Sequence, residues 1–234
     1  MKLIFPAIIT LLLTACGGGS ASTPVTTTVK EVSSSASLKV YNMAKIDSES
    51  TLASVELVAI PAGENSQSII TSELYGEAQN GQVSLQKAEQ AMVLELRNTN
   101  SQQTLASVMA SFEANGHYHV FLVGDQKAQD LRIKVHKKAP SEATEPNKIQ
   151  VQFGNFMSSE TTSVSINDRQ VFNQIQADVL SSPQTFETAS QINVEWNVSE
   201  TLAQVKRCEF TSDYTTRDML AVIDPLGKCR VLLP

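Results

Sequence analysis

From residue 38 onward, apolar side chains recur at every second position. Met92, Leu94 and Leu96 lie on one side of a run whose other side is Val93, Glu95 and Arg97, and Ile192, Val194, Trp196 and Val198 alternate in the same way with Asn193, Glu195 and Asn197. An extended backbone points successive side chains to opposite faces, so a period of two marks strands with one buried face. Helical periodicity nowhere persists comparably. The inward set predicted from this pattern includes Leu94, Leu96, Val120, Leu122, Val194 and Trp196.

The pattern occurs twice. Thr104-Leu105-Ala106-Ser107-Val108 returns as Thr201-Leu202-Ala203-Gln204-Val205, Phe112 as Phe210, and Glu95 as Glu195. The segment Leu131-Arg132-Ile133-Lys134-Val135 returns as Cys229-Arg230-Val231-Leu232-Leu233, and Lys39-Val40-Tyr41-Asn42 aligns with Gln152-Phe153-Gly154-Asn155. Copy one carries extra loop between Ile60 and Gly81, where Pro61, Gly63, Gly76 and Asn80-Gly81 punctuate the chain. Residues 137–147, KKAPSEATEPN, hold two prolines and no core-forming side chain, which predicts a linker. About seven short strands per copy predict an all-β chain of two tandem antiparallel β-sandwiches of immunoglobulin-like build, over residues 38–136 and 148–234. Closed barrels are the alternative, since strand spacing does not separate them from open sheets.

The first 37 residues obey different rules. Lys2 precedes an apolar run from Leu3 to Leu13, too short to span a bilayer core, which needs roughly 20 residues. It reads as a signal peptide over residues 1–15. Leu13-Thr14-Ala15-Cys16 resembles the lipobox of bacterial lipoproteins, which implies cleavage before Cys16 and a diacylglycerol (with palmitate-type chains) on its sulfur. Ordinary secretory cleavage with Cys16 left as a thiol is the alternative. Gly17 stands where inner-membrane lipoproteins commonly carry aspartate, so the resemblance implies the outer membrane, facing periplasm or cell surface. The stretch from Gly17 to Ser37 is almost entirely Gly, Ser, Thr, Ala, Val and Pro and reads, with Cys16, as a flexible tether.

A second resemblance sits in the repeats. Asn155-Phe156-Met157-Ser158-Ser159-Glu160 followed by Ser163-Val164-Ser165-Ile166-Asn167-Asp168 resembles a bacterial domain of unknown function, family four-three-nine-seven, in which an opening strand ends in Asn before a polar loop. Copy one keeps Asn42 and Ser54-Val55-Glu56-Leu57, and its run from Gly116 to Gly124 is similar to the family's late strand. The family's Pro- and Asp-rich loop is missing after Asn42. The resemblance implies tandem sandwich domains in an exported protein and no known chemistry.

Composition adds limits. The chain has 18 basic and 24 acidic residues, a net charge of −6, and loss of residues 1–15 would remove Lys2 and no acid. This disfavours nucleic acid as a partner. Cys208 and Cys229 remain once Cys16 is lipidated, and an even pair in an exported domain predicts a disulfide. Placed on copy one, Cys208 falls near Ala110 or Ser111 and Cys229 on Leu131. His117 and His119, two apart on a strand, share a face and could share a zinc or copper ion, although zinc takes three or four protein ligands; solvent-facing strand histidines are the other reading. Arg132, Lys134, His136, Lys137 and Lys138 form a basic stripe, read as a solvated face or as a contact for anionic lipid or polysaccharide. No Gly-x-Ser-x-Gly, His-Glu-x-x-His, phosphate-loop or calcium-loop motif occurs, and no cofactor is implied. The sequence points to a non-catalytic, membrane-anchored envelope module for a protein or glycan partner, with a metal or small-ligand binder on the His117/His119 face as the alternative.

Overall fold

The computed structural model describes residues 34–47, 50–52, 54–72, 75–76, 78–138, 147–157, 162–167, 169–187, 191–198, 204–211 and 218–232. The signal segment, Cys16, the tether to residue 33, the linker core 139–146, and Ser158-Ser159-Glu160, Asp168 and Thr201-Leu202-Ala203 of the repeats lie outside the described residues.

Copy one folds as β1 (Ser34–Lys45), β2 (Val55–Pro61), β3 (Gln67–Ser72), β4 (Ala78–Leu85), β5 (Glu89–Asn98), β6 (Thr104–Glu113), β7 (His117–Asp125) and β8 (Arg132–Lys137). These form two four-stranded sheets, ordered β4-β1-β7-β8 and β3-β2-β5-β6. Copy two follows as β9 (Lys148–Asn155), β10 (Thr162–Ile166), β11 (Arg169–Ile175), β12 (Val179–Leu180), β13 (Gln184–Glu187), β14 (Gln191–Val198), β15 (Gln204–Thr211), β16 (Asp218–Ile223) and β17 (Cys229–Leu232). Its sheets run β12-β9-β16-β17, with β13 also on β9, and β11-β10-β14-β15. The strand order is thus the same in both copies, with the place of β4 divided between β12 and β13.

Each copy is a two-sheet sandwich, as the alternation predicts. One pair in each is parallel rather than antiparallel: β1 with β7, and β9 with β16. The opening strand lies inside its sheet and the chain then crosses to the other sheet, so the late strand returns beside it in the same direction. The repeat register also shifts. Val108 stands opposite Leu94 and Cys208 opposite Val194, so Cys208 matches Val108 rather than Ala110 or Ser111. Ile133 stands opposite Leu122 and Cys229 opposite Ile223, so Cys229 matches Ile133 rather than Leu131. The inward-facing pattern sets the pairing.

All six expected core residues are buried. Leu38, Val40, Leu57, Leu94, Leu96, Phe112, Val120 and Leu122 fill the first sandwich. Val151, Phe153, Val164, Val194, Trp196 and Ala221 fill the second. Each Val, Leu or Phe among them taken from water contributes roughly 1.5–3 kcal/mol.

A third core joins the two. Tyr41, Met43, Phe121 and Val123 pack with Phe156, Leu220, Val222 and Leu232. These are the outward positions of the strands whose alternate residues fill the sandwiches, so β7 and β16 are buried on both faces and read as unbroken apolar runs. Phe121 is the centre, stacked on Tyr41 with ring centroids 4.9 Å apart and against Phe156 at 4.2 Å. Gly154 makes room for this packing: a Cβ there would meet Leu180, Phe156 and Val222 at 3.0 Å or less. Four sheets therefore stack in one compact unit.

Candidate functional site

Polar groups close the third core at both ends. At one end Asp224, fully buried, accepts the Tyr75 hydroxyl at 3.1 Å and Arg230 Nε at 2.6 Å, while the Arg230 guanidinium lies 4.7 Å over the Tyr75 ring. Lys45 Nζ donates to the Pro225 carbonyl at 3.2 Å. Tyr75 and Lys45 belong to the first sandwich, Asp224, Pro225 and Arg230 to the second. Burial, then the Asp224 charge and hydrogen bond, push the Tyr75 phenol well above its usual range, so it stays a donor.

The basic stripe faces this junction. Arg132 Nε bonds Asp178 Oδ2 at 2.8 Å, Lys134 Nζ lies 3.1 Å from the same oxygen, and Lys138 Nζ lies 2.9 Å from Asp218 Oδ2. His136 packs edge-on against Phe121 and Phe156. Its Nε2 is buried without a hydrogen-bond partner among the described residues, and burial followed by Lys134 lowers its pKa. Only Lys137, on the opposite face, turns away to pair with Glu113 at 2.6 Å. Four of the five stripe residues thus clamp one sandwich to the other instead of forming a solvated face.

The histidine pair divides. His117 is exposed, whereas His119 is buried at the junction, opposite His136 across β7 and β8 and with Nδ1 3.5 Å from the Tyr41 hydroxyl. Burial, reinforced by Lys138, His136 and Lys39, lowers the His119 pKa to about 4, so its ring is neutral near pH 7. Both imidazoles line one cleft of about 240 Å³ together with Ser37, Leu38, Lys39, Asn80, Tyr118 and Lys138. A smaller cavity of about 20 Å³, room for one water, continues between His119 and Gln150, Gln152 and Asp218 of the second sandwich. Among the described residues no three His, Cys, Asp or Glu side chains cluster as a metal site.

Cys208 and Cys229 form the predicted disulfide, Cα atoms 5.6 Å apart, joining edge strands β15 and β17 of opposite sheets. Val108 and Ile133, their counterparts on β6 and β8, instead line an open groove of about 430 Å³. The second copy thus closes covalently a seam that the first leaves open.

The sequence reading missed the junction partners Phe121, Leu220, Asp178 and Asp218. The available signal was the lack of alternation in His119–Val123 and Met219–Ile223, where both faces are apolar.

No family model and no curated protein matches the chain. Among solved structures it is similar to CBMbc (family CBM26) from Eubacterium rectale Amy13K, in complex with maltoheptaose, with 11% identity, a TM-score of 0.27, and coverage of 86% of this chain and 97% of that one. It is also similar to the Bacillus anthracis TIE protein, with 5% identity, a TM-score of 0.25, and coverage of 84% of this chain and 34% of that one. Neither likeness, at such a TM-score, bears on what this chain binds.

Proposed function

We propose that this chain is a lipid-anchored module of the bacterial envelope that works by binding or structural support, without catalysis, presenting two sandwiches to a protein or glycan partner. The observation that carries this reading is the shared core around Phe121, clamped by Arg132–Asp178, Lys138–Asp218 and the Tyr75–Asp224–Arg230 cluster. Two sandwiches joined through a common interior keep one mutual orientation, so surface from both copies is offered as a single preorganised face, which lowers the ordering cost of binding. The lipobox at Cys16 supports attachment to the outer membrane by its acyl chains, each buried CH₂ contributing about 0.8 kcal/mol.

Crosslinking in intact cells with the parent and the Cys16→Ala form, followed by mass spectrometry of captured partners, tests the proposal. The expected result is an envelope partner captured by the parent and lost on release of the anchor. Retention of the Cys16→Ala form in washed membranes would remove the anchor from the proposal, and turnover of a substrate by the purified chain would replace it with an enzyme.

A further inference from the structure

At one rim of the junction the first sandwich carries two rows of polar side chains. Strand register places Asn80, Lys39, His119 and His136 side by side across β4, β1, β7 and β8. Gln82, Ser37 and His117 form the next row, which Lys138 closes by donating its backbone N–H to the His117 carbonyl at 2.8 Å. The cleft of about 240 Å³ opens over these rows, and none of its lining residues is a carboxylate. Lys138 is held by Asp218 from across the junction. Lys39 sits in a central strand, half-buried, and its side-chain ammonium has no ion-pair or hydrogen-bond partner among the described residues.

A lysine with no counter-charge, beside a second lysine and among hydroxyl, amide and imidazole donors, is an arrangement for a negative guest. We propose that this cleft binds an oxyanion, the carboxylate or phosphate of a small ligand, with Lys39 as its charged partner, Lys138 as a second cation fixed by Asp218, and Ser37, Asn80 and His117 as further hydrogen-bond donors. The volume suits phosphate or a single acidic sugar unit. Lys39 and Lys138 disfavour a metal cation between His117 and His119, because like charges in a partly buried cleft are poorly screened. Burial and Lys138 also lower the Lys39 pKa, the strain that a bound anion would relieve. The site requires neither the anchor nor a protein partner, so it stands or falls apart from the proposed function.

The test is titration of the full chain, as the Cys16→Ala form, with inorganic phosphate and separately with glucuronate, read by calorimetry and by the imidazole resonances of His117 and His119. Saturable binding of either anion is expected, weakened about tenfold or more by Lys39→Gln, recovered to within about threefold by Lys39→Arg, and weakened also by His117→Gln. Tighter binding of glucuronate assigns the cleft to an acidic glycan, and phosphate alone assigns it to a phosphate group, each in support of the site. Absence of saturable binding of both anions, or equal affinity in the parent and a Lys39→Gln form that melts like the parent, overturns it.

Discussion

Asn42 and Asn155 occupy the same place in the two sandwiches and make the same pair of hydrogen bonds. Each lies in the C-terminal part of its opening strand, is buried, and sits opposite an inward-facing residue of the parallel neighbour, Leu122 or Ile223. Asn42 Nδ2 donates to the Leu52 carbonyl at 2.9 Å and its Oδ1 accepts the Ala44 N–H at 3.2 Å. Asn155 Nδ2 donates to the Ile175 carbonyl at 3.0 Å and its Oδ1 accepts the Met157 N–H at 3.1 Å. A donor and an acceptor two bonds apart are both needed, which explains Asn rather than Asp or Ser. Asn42→Ala or Asn155→Ala should cost about 2–3 kcal/mol by stranding a buried carbonyl and N–H, and Asn→Asp at least as much. Urea denaturation midpoints check this.

The Cys208–Cys229 bridge spans a sequence separation of 21 and ties the two sheets of the second sandwich. Cys208→Ser, Cys229→Ser, or reduction of the parent should lower stability by roughly 3 kcal/mol in the chain-entropy model. Denaturation with and without reductant measures it, and the double serine form should no longer respond to reductant.

Phe121 touches both Tyr41 and Phe156, one ring from each sandwich. Phe121→Ala opens a cavity in the third core and should cost about 3–5 kcal/mol. Because that core is the apolar link between the copies, the parent should unfold in one calorimetric transition and the variant in two.

His119 predicts an acid weakening with a definite sign. Its folded pKa is lowered to about 4 from the ordinary 6.5, so above pH 6.5 the ring is neutral in both states and its contribution is fully present. Between pH 6.5 and 4 the unfolded chain takes up a proton that the folded chain refuses, and stability falls, by about 3 kcal/mol in total, before levelling off. His136, lowered for the same first cause, adds in the same direction. His119→Phe should flatten this part of the profile; urea midpoints of parent and variant between pH 7 and 4 measure the difference and cancel the shared carboxylate effects.

The strands and both sandwich interiors were legible because alternation is a local signal: Leu94, Leu96, Val194 and Trp196 declare their inward face within a few residues. The junction was not. Arg132 and its partner Asp178 are 46 residues apart and Lys138 meets Asp218 across the two copies, and a pairing of that range leaves no mark on either segment. From sequence, Arg132, Lys134 and His136 are therefore indistinguishable from a hydrated strand face. The disulfide was readable from cysteine count alone, while its register was not, since matching Cys208 to Val108 and Cys229 to Ile133 depends on cross-strand pairing rather than on local sequence likeness.

The parallel pair has a mechanical consequence. β1 is flanked on one side by β4 and on the other by β7, so hydrogen-bond ladders run along both of its edges from Ser37 to Tyr41. These bonds lie across the strand direction. A pull on the chain ahead of Ser34 acts along the axis of an interior strand and loads the rungs of both ladders together, in shear, instead of peeling them one at a time. A load applied at Ser34 therefore meets more resistance than it would on an edge strand, which has a ladder on one side alone.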